Sequence, residues 1–164
     1  MSFRSCLILY LCFFGASIHA DELKINKNIV VESYLISGSS LENLWKEMDK
    51  KGPDGNWGLT HWKIHWTPGC DVSIDITITL PKLVGSGTLS GTDRLIFERM
   101  LVALETHENH HARIGTYAAE EIKRYDCKNT DQIAAYWKSV NKRFDLDTKH
   151  GQREGVDLAR KTKK

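Results

Sequence analysis

A chain of 164 residues is one domain's worth of sequence, with 41% hydrophobic and 27% charged residues, the balance of a globular protein that can fill a core. The formal net charge of +2 excludes a strongly basic nucleic-acid or membrane-surface binder, because a field that small does not gather polyanions.

The first twenty residues stand apart. MSFRSCLILYLCFFGASIHA has one arginine near its start, an apolar run from Cys6 to Phe14 and small residues up to Ala20, just before Asp21 and Glu22. This is the pattern of a secretory signal peptide over residues 1–20. The run is shorter than the roughly 20 residues needed to span a bilayer. Cleavage after Ala20 removes Arg4 and no acidic residue, leaving 22 basic and 21 acidic residues and a net charge of +1. It also removes Cys6 and Cys12. The two remaining cysteines, Cys70 and Cys127, are an even pair in a chain bound for an oxidising compartment, and a disulfide between them is expected.

Residues 29–36, IVVESYLI, are β-branched and aromatic and end before Gly38, which predicts a strand. A helix follows, with Ser39 and Glu42 as a capping box, Leu41, Leu44, Trp45 and Met48 at helical spacing, and Gly52-Pro53 as its stop. Trp62, Ile64 and Trp66 alternate with His61, Lys63 and His65, and after a Pro68-Gly69 turn Val72, Ile74, Ile76, Ile78 and Leu80 alternate with polar residues. Both are half-buried strands by their period, and together they predict an antiparallel hairpin. A long helix capped near Thr92 reaches Tyr125, and a second runs from Asp131 to Phe144. The rest, DLDTKHGQREGVDLARKTKK, has little periodicity and reads as loop and tail. The expected fold class is α+β: a small antiparallel sheet packed against a long helix and a second C-terminal helix.

The long helix carries THENHHA at residues 106–112. His107 and His111 lie four residues apart and therefore one turn apart on one face, where two imidazoles can bind one Zn²⁺. Glu108 points about 100° away and can act on a water at the metal instead of ligating it, as in the H-E-x-x-H arrangement of metallopeptidases. The stripe through the two histidines is otherwise apolar, with Ile96, Met100 and Leu104 before it and Ile114, Ala118 and Ile122 after it. The pair therefore faces inward, where histidines without partners are costly. His110 falls off the stripe as a bystander. A glycine-turn third histidine fails, since the glycine comes one residue late at Gly115 and Tyr117 occupies the last position. The open candidates for a third ligand are His61 and His65 on the strand and Asp145, Asp147 and His150 after the last helix.

HENHHARIGTYAAEEI followed by FDLDTKHGQREGV resembles the bacterial secreted DUF922 family of predicted zinc-dependent proteases. That family pairs H-E-x-x-H on a long helix with a later Y-D-x-x-T-x-H-G motif, after strands bearing tryptophans and a cysteine-containing turn. The likeness implies a zincin-like fold with His107 and His111 as ligands, Glu108 as base and His150 as third ligand, and with Asp145, Thr148 and Gly151 shaping the loop. Phe144 stands where the family usually has tyrosine, so a hydroxyl that could polarise a substrate carbonyl is missing. The expected organisation is a signal peptide over 1–20, a zinc metallopeptidase-like domain over 21–151 and a flexible basic tail over 152–164. The expected function is an exported, periplasmic or extracellular zinc metallohydrolase, a small endopeptidase using a Zn-bound water activated by Glu108 on a peptide or protein substrate. The alternative is a non-catalytic, zinc-stabilised binding module of the cell envelope.

Overall fold

The computed structural model describes residues 23–85 and 89–158. The expected signal peptide lies outside the described residues. The elements run β1 (Asn26–Ile36), α1 (Leu41–Lys51), β2 (Leu59–Trp66), β3 (Val72–Leu83), α2 (Gly91–Arg124) and α3 (Thr130–Thr148), with short 3₁₀ turns at Pro53–Gly55 and Gln152–Glu154. The class is α+β, as the sequence pattern predicts.

β3 is the central strand, and its alternation carries through. Val72, Ile74, Ile76, Ile78 and Leu80 are buried, while Asp75 is exposed on the opposite face. β2 pairs with β3 antiparallel, Trp62 opposite Ile76 and Ile64 opposite Ile74, so the hairpin forms in the expected sense. Trp66, at the end of β2, is exposed. The expected wholly antiparallel sheet is corrected at β1, which pairs with β3 in parallel, Ile29 opposite Ile76 and Val31 opposite Ile78. The sheet is mixed, in the order β1-β3-β2. Its physical origin is α1, which turns the chain so that the hairpin's second strand inserts beside β1.

α1 is capped one residue later than Ser39: Ser40 accepts the backbone N–H of Asn43 at 3.2 Å. α2 is capped two residues earlier than Thr92, with Ser90 accepting the N–H of Asp93 at 3.1 Å. One face of α2 packs on β3 and β2 through Phe97, Met100, Leu104, Ala119 and Ile122. Gly115 lets the two layers meet closely, since a Cβ there would fall 2.6 Å from Trp62 Cγ. The expected disulfide between Cys70 and Cys127 is present, with the two Cα atoms 5.6 Å apart. It ties the start of β3 to the end of α2, beside a 2.7 Å hydrogen bond from Lys123 Nζ to the Cys70 carbonyl.

Two differences at the C-terminal end matter for the site. α3 continues four residues beyond Phe144, to Thr148, so Asp145 is helical. Residues expected as a loose tail pack on the domain, with Val156 and Leu158 both buried.

Candidate metal centre

In the middle of α2, His107 and His111 are 3% and 5% exposed, buried as the inward-facing stripe predicts, and Glu108, off that stripe, is buried with them at 4%. Each must then find partners within the protein.

The imidazoles do so at their outer nitrogens. His107 Nδ1 lies 2.7 Å from Glu154 Oε2, and His111 Nδ1 lies 2.8 Å from Asn141 Oδ1. An N–H directed at each acceptor leaves Nε2 of both rings as a lone pair. Those two Nε2 atoms face each other at 3.2 Å. Asp145 Oδ1 sits 3.0 Å from His111 Nε2 and 3.3 Å from His107 Nε2. Three acceptor atoms therefore converge. A tetrahedral ion with ligand distances of about 2.0–2.1 Å holds its ligand atoms about 3.3 Å apart, which matches all three edges of this triangle. Nitrogen and carboxylate oxygen are also the donor types that suit zinc.

The third member of the cluster is Asp145 and not the expected His150. The reason is the longer α3. Asn141 and Asp145 are four residues apart, one helical turn, so both reach His111 from the same face. His150 comes after the helix end, where Lys149, His150 and Gly151 all take positive φ values of 53°, 51° and 77°. Its side chain is 68% exposed, and its Nδ1 is 3.5 Å from Asp145 Oδ1 at the mouth of the site. The other candidates are placed elsewhere. Asp147 forms an exposed pair with Arg143 at 2.9 Å. His61 and His65 lie on the outward face of β2, and His65 Nε2 is 3.0 Å from Asp75.

Glu108 hangs beside the triangle, gripped by Thr60 of β2. The Thr60 hydroxyl lies 2.8 Å from Glu108 Oε2 and 2.9 Å from the Glu108 carbonyl, so it donates to one or the other. Burial holds the Glu108 carboxyl above its ordinary pKa, and Asp145 adds to this; the Thr60 hydrogen bond and His111 pull the other way. Phe144 lines the back of the site, stacked on His107 with ring centres 5.0 Å apart and edge-on to His111 at 5.1 Å. His110 also meets Phe144 edge-on, and its buried Nδ1 lies 3.5 Å from Glu154 Oε1 without a hydrogen bond to it.

A cleft of about 340 Å³ opens over these groups. Trp45, Asp49, Trp57 and Thr60 form one side, and Asn141, Asp145, His150 and Gln152 the other. Trp57 is fixed there by its indole N–H, which donates to Asp49 Oδ1 at 2.7 Å.

Thr60, Asn141 and Glu154 were not singled out from the sequence. Glu154 and Thr60 lie 47 and 48 residues from the side chains they hold, so no periodicity announces them. Asn141 had one available signal, its i,i+4 spacing to Asp145, which matters only if α3 extends past Phe144.

No curated protein and no solved structure matches the chain. The profile of a family described as "Bacterial protein of unknown function (DUF922)" matches residues 31–151, from the middle of β1 through the turn that follows α3. That span takes in His107, Glu108, His111, Asn141 and Asp145, and the chain belongs to the DUF922 family.

Proposed function

We propose that this protein is an exported zinc metallohydrolase, a small endopeptidase acting on extended peptide or protein segments. The observation that carries the reading is the triangle of His107 Nε2, His111 Nε2 and Asp145 Oδ1, with edges of 3.0–3.3 Å, set beside a buried glutamate in an open cleft. Zinc held by these three residues would supply an acidified water and a Lewis acid for the substrate carbonyl.

The remaining roles belong to the chain's own side chains. Glu154 and Asn141 hold the two imidazoles in the tautomer that presents Nε2. Glu108 takes the proton of the attacking water and passes it to the leaving amine. A carboxylate whose pKa is raised by burial suits both halves of that transfer. Thr60 fixes one carboxylate oxygen and leaves Oε1 to carry the proton. The outer edge of β2 begins at the cleft with Leu59 and Thr60, and it offers backbone groups that an extended substrate can pair with. Phe144 brings no hydroxyl to the substrate, and a metal held by His107, His111 and Asp145 would supply carbonyl polarisation in its place. The Cys70–Cys127 disulfide supports passage to an oxidising compartment, and no described helix is long and apolar enough to cross a membrane.

A second reading, a closed zinc site in an envelope binding module, draws on His150. Its Nδ1 is 3.5 Å from Asp145 Oδ1, near enough that a side-chain rotation would add a fourth protein ligand. Structural zinc sites have four protein ligands, whereas catalytic sites keep one position open. A metal-free network is the remaining possibility. With Asn141 turned to present its amide N–H, His111 would carry its proton on Nε2 and satisfy Asp145.

The deciding experiment is metal analysis of dialysed protein beside peptide hydrolysis by wild type and Glu108→Gln. One zinc per chain in both, with hydrolysis lost only in Glu108→Gln, is the expected result. Zinc without hydrolysis in the wild type overturns the enzyme reading, and absence of stoichiometric metal overturns both zinc readings.

A further inference from the structure

The cleft uses the β2 side of the sheet and leaves β1, the opposite edge, without a role. β1 is an unbroken strand of eleven residues, and among the described residues no strand lies beyond it. Ile29 is 55% exposed, Val30 44% and Val31 62%. Because successive side chains alternate, apolar groups are bared on both faces of the strand. Exposed edges are ordinarily protected by a proline, a bulge or an inward charge, and the stretch from Ile29 to Val31 has none of these.

The backbone shows which groups are free. The Ile36 carbonyl accepts the N–H of Val84 at 2.8 Å, on the β3 side. By alternation, the even-numbered residues of β1 bond to β3, and the odd-numbered ones turn N–H and C=O outward. At Leu35 that outer row is already blocked, since its carbonyl accepts Lys51 Nζ at 3.0 Å. The open row is therefore Lys27, Ile29, Val31 and Ser33, and its midpoint is Val30.

We propose that β1 pairs antiparallel with β1 of a second copy of this chain, about a two-fold axis at Val30, joining two sheets into one of six strands. In this register Lys27 faces Ser33 of the second copy and Ile29 faces Val31, so all four open residues meet hydrogen-bonding partners twice over. Ile29 and Val31 of both copies form one apolar cluster on the helix side, and the two Val30 side chains meet on the other. Glu32 faces Asn28, and no like charges stand opposite each other. Moving the axis to Glu32 would oppose two carboxylates and run the ladder into Lys51, so the charge pattern and the open window select the same register. The pairing leaves the cleft untouched, because the metal cluster lies on α2, which covers β3 and β2, and on α3, which packs against α2.

The test is light scattering after size exclusion, with three variants. The wild type is expected to run at twice the chain mass. Val31→Pro deletes an N–H that points to solvent in the single copy, so it should give single-copy mass with an unaltered circular dichroism spectrum. Val31→Lys should do the same by charge and serves if the proline variant fails to fold. In Val30→Cys the two Cα atoms would lie about 4.5 Å apart, within disulfide range, whereas in Ile29→Cys they would be diagonal at about 7–8 Å. Mild oxidation should therefore link the residue-30 peptide to its own copy, read by mass spectrometry, and leave the Ile29→Cys protein unlinked there. A wild type of single-copy mass at every concentration overturns the proposal, including the case where the edge instead captures an added β-strand peptide. A dimer that survives both Val31 changes and does not cross-link through Val30→Cys overturns it as well.

Discussion

Glu154→Ala tests whether the C-terminal turn builds the metal site. Its carboxylate accepts the Nδ1–H of His107 at 2.7 Å, and the side chain is 26% exposed while that of His107 is 4% exposed. A hydrogen bond to a charged group contributes about 1.5–3 kcal/mol, and partial exposure places this one near the lower end. At about 1.4 kcal/mol per factor of ten, losing it should weaken the proposed zinc binding on the order of tenfold, inside the roughly 10–100-fold range for partners of metal-ligating histidines. The mechanism is loss of tautomer control: without the carboxylate, His107 can carry its proton on Nε2 and must give it up to bind metal. Competition against a chromophoric chelator measures the affinity directly. The exposed helix residue Lys46, changed to alanine in parallel, should leave it unchanged. An affinity for Glu154→Ala within a factor of two of wild type would refute the reasoning, because the contact would then do nothing for the ring it touches.

Asp145→Ala should lose stoichiometric zinc on dialysis while His150→Ala keeps it, read by elemental analysis; the reverse pattern would restore His150 as the third ligand. Gly151→Ala should lower stability by about 2 kcal/mol in urea unfolding, since φ is +77° and the new Cβ would meet Val156 Cγ2 at 2.5 Å and His107 Cγ at 3.2 Å. A neutral result there would mean that the turn relaxes freely. Cys127→Ala opens a loop of sequence separation 57, and chain entropy sets the cost at about 4 kcal/mol. Unfolding midpoints that match those of the wild type would contradict that estimate.

What could be read from the sequence was what local periodicity encodes. The β3 alternation and the inward face of α2 each depend on spacing along a single stretch, and each is present; the Cys70–Cys127 pair followed instead from cysteine count and the expected oxidising compartment. The partner of β1 was not legible in that way. A strand's own residues do not say whether the neighbour runs parallel or antiparallel, and β1 reaches β3 only because α1 and β2 intervene. The third ligand was ambiguous for a similar reason. Asp145 and His150 are five residues apart, and which one meets the histidines depends on where α3 stops. Phe144-Asp145-Leu146-Asp147 has no strong breaker, yet it also lacks the apolar period that would have marked it as helix. Glu154 was hidden most thoroughly, in a polar stretch with two glycines that is anchored by Val156 and Leu158 joining the core.

The attachment of α3 follows from these same contacts. Of its nineteen residues only Ile133 is buried, so apolar burial holds its C-terminal half weakly. Near that end the helix meets α2 through Asn141 and Asp145 on His111 and through Phe144 on the histidine rings. An ion bound by His107, His111 and Asp145 would join α2 to α3 at the point where packing is thinnest. A ligand at a thousand times its dissociation constant stabilises the folded state by about 4 kcal/mol. Local opening draws on the same free energy, so chelation should release amide exchange first in residues 141–158 and leave the β3 and mid-α2 amides protected. Uniform loss of protection would instead mean that metal binding is coupled to the whole domain. No change on chelation would mean that the α3 contacts hold without an ion, and the triangle of acceptors would then have to be bridged by a proton.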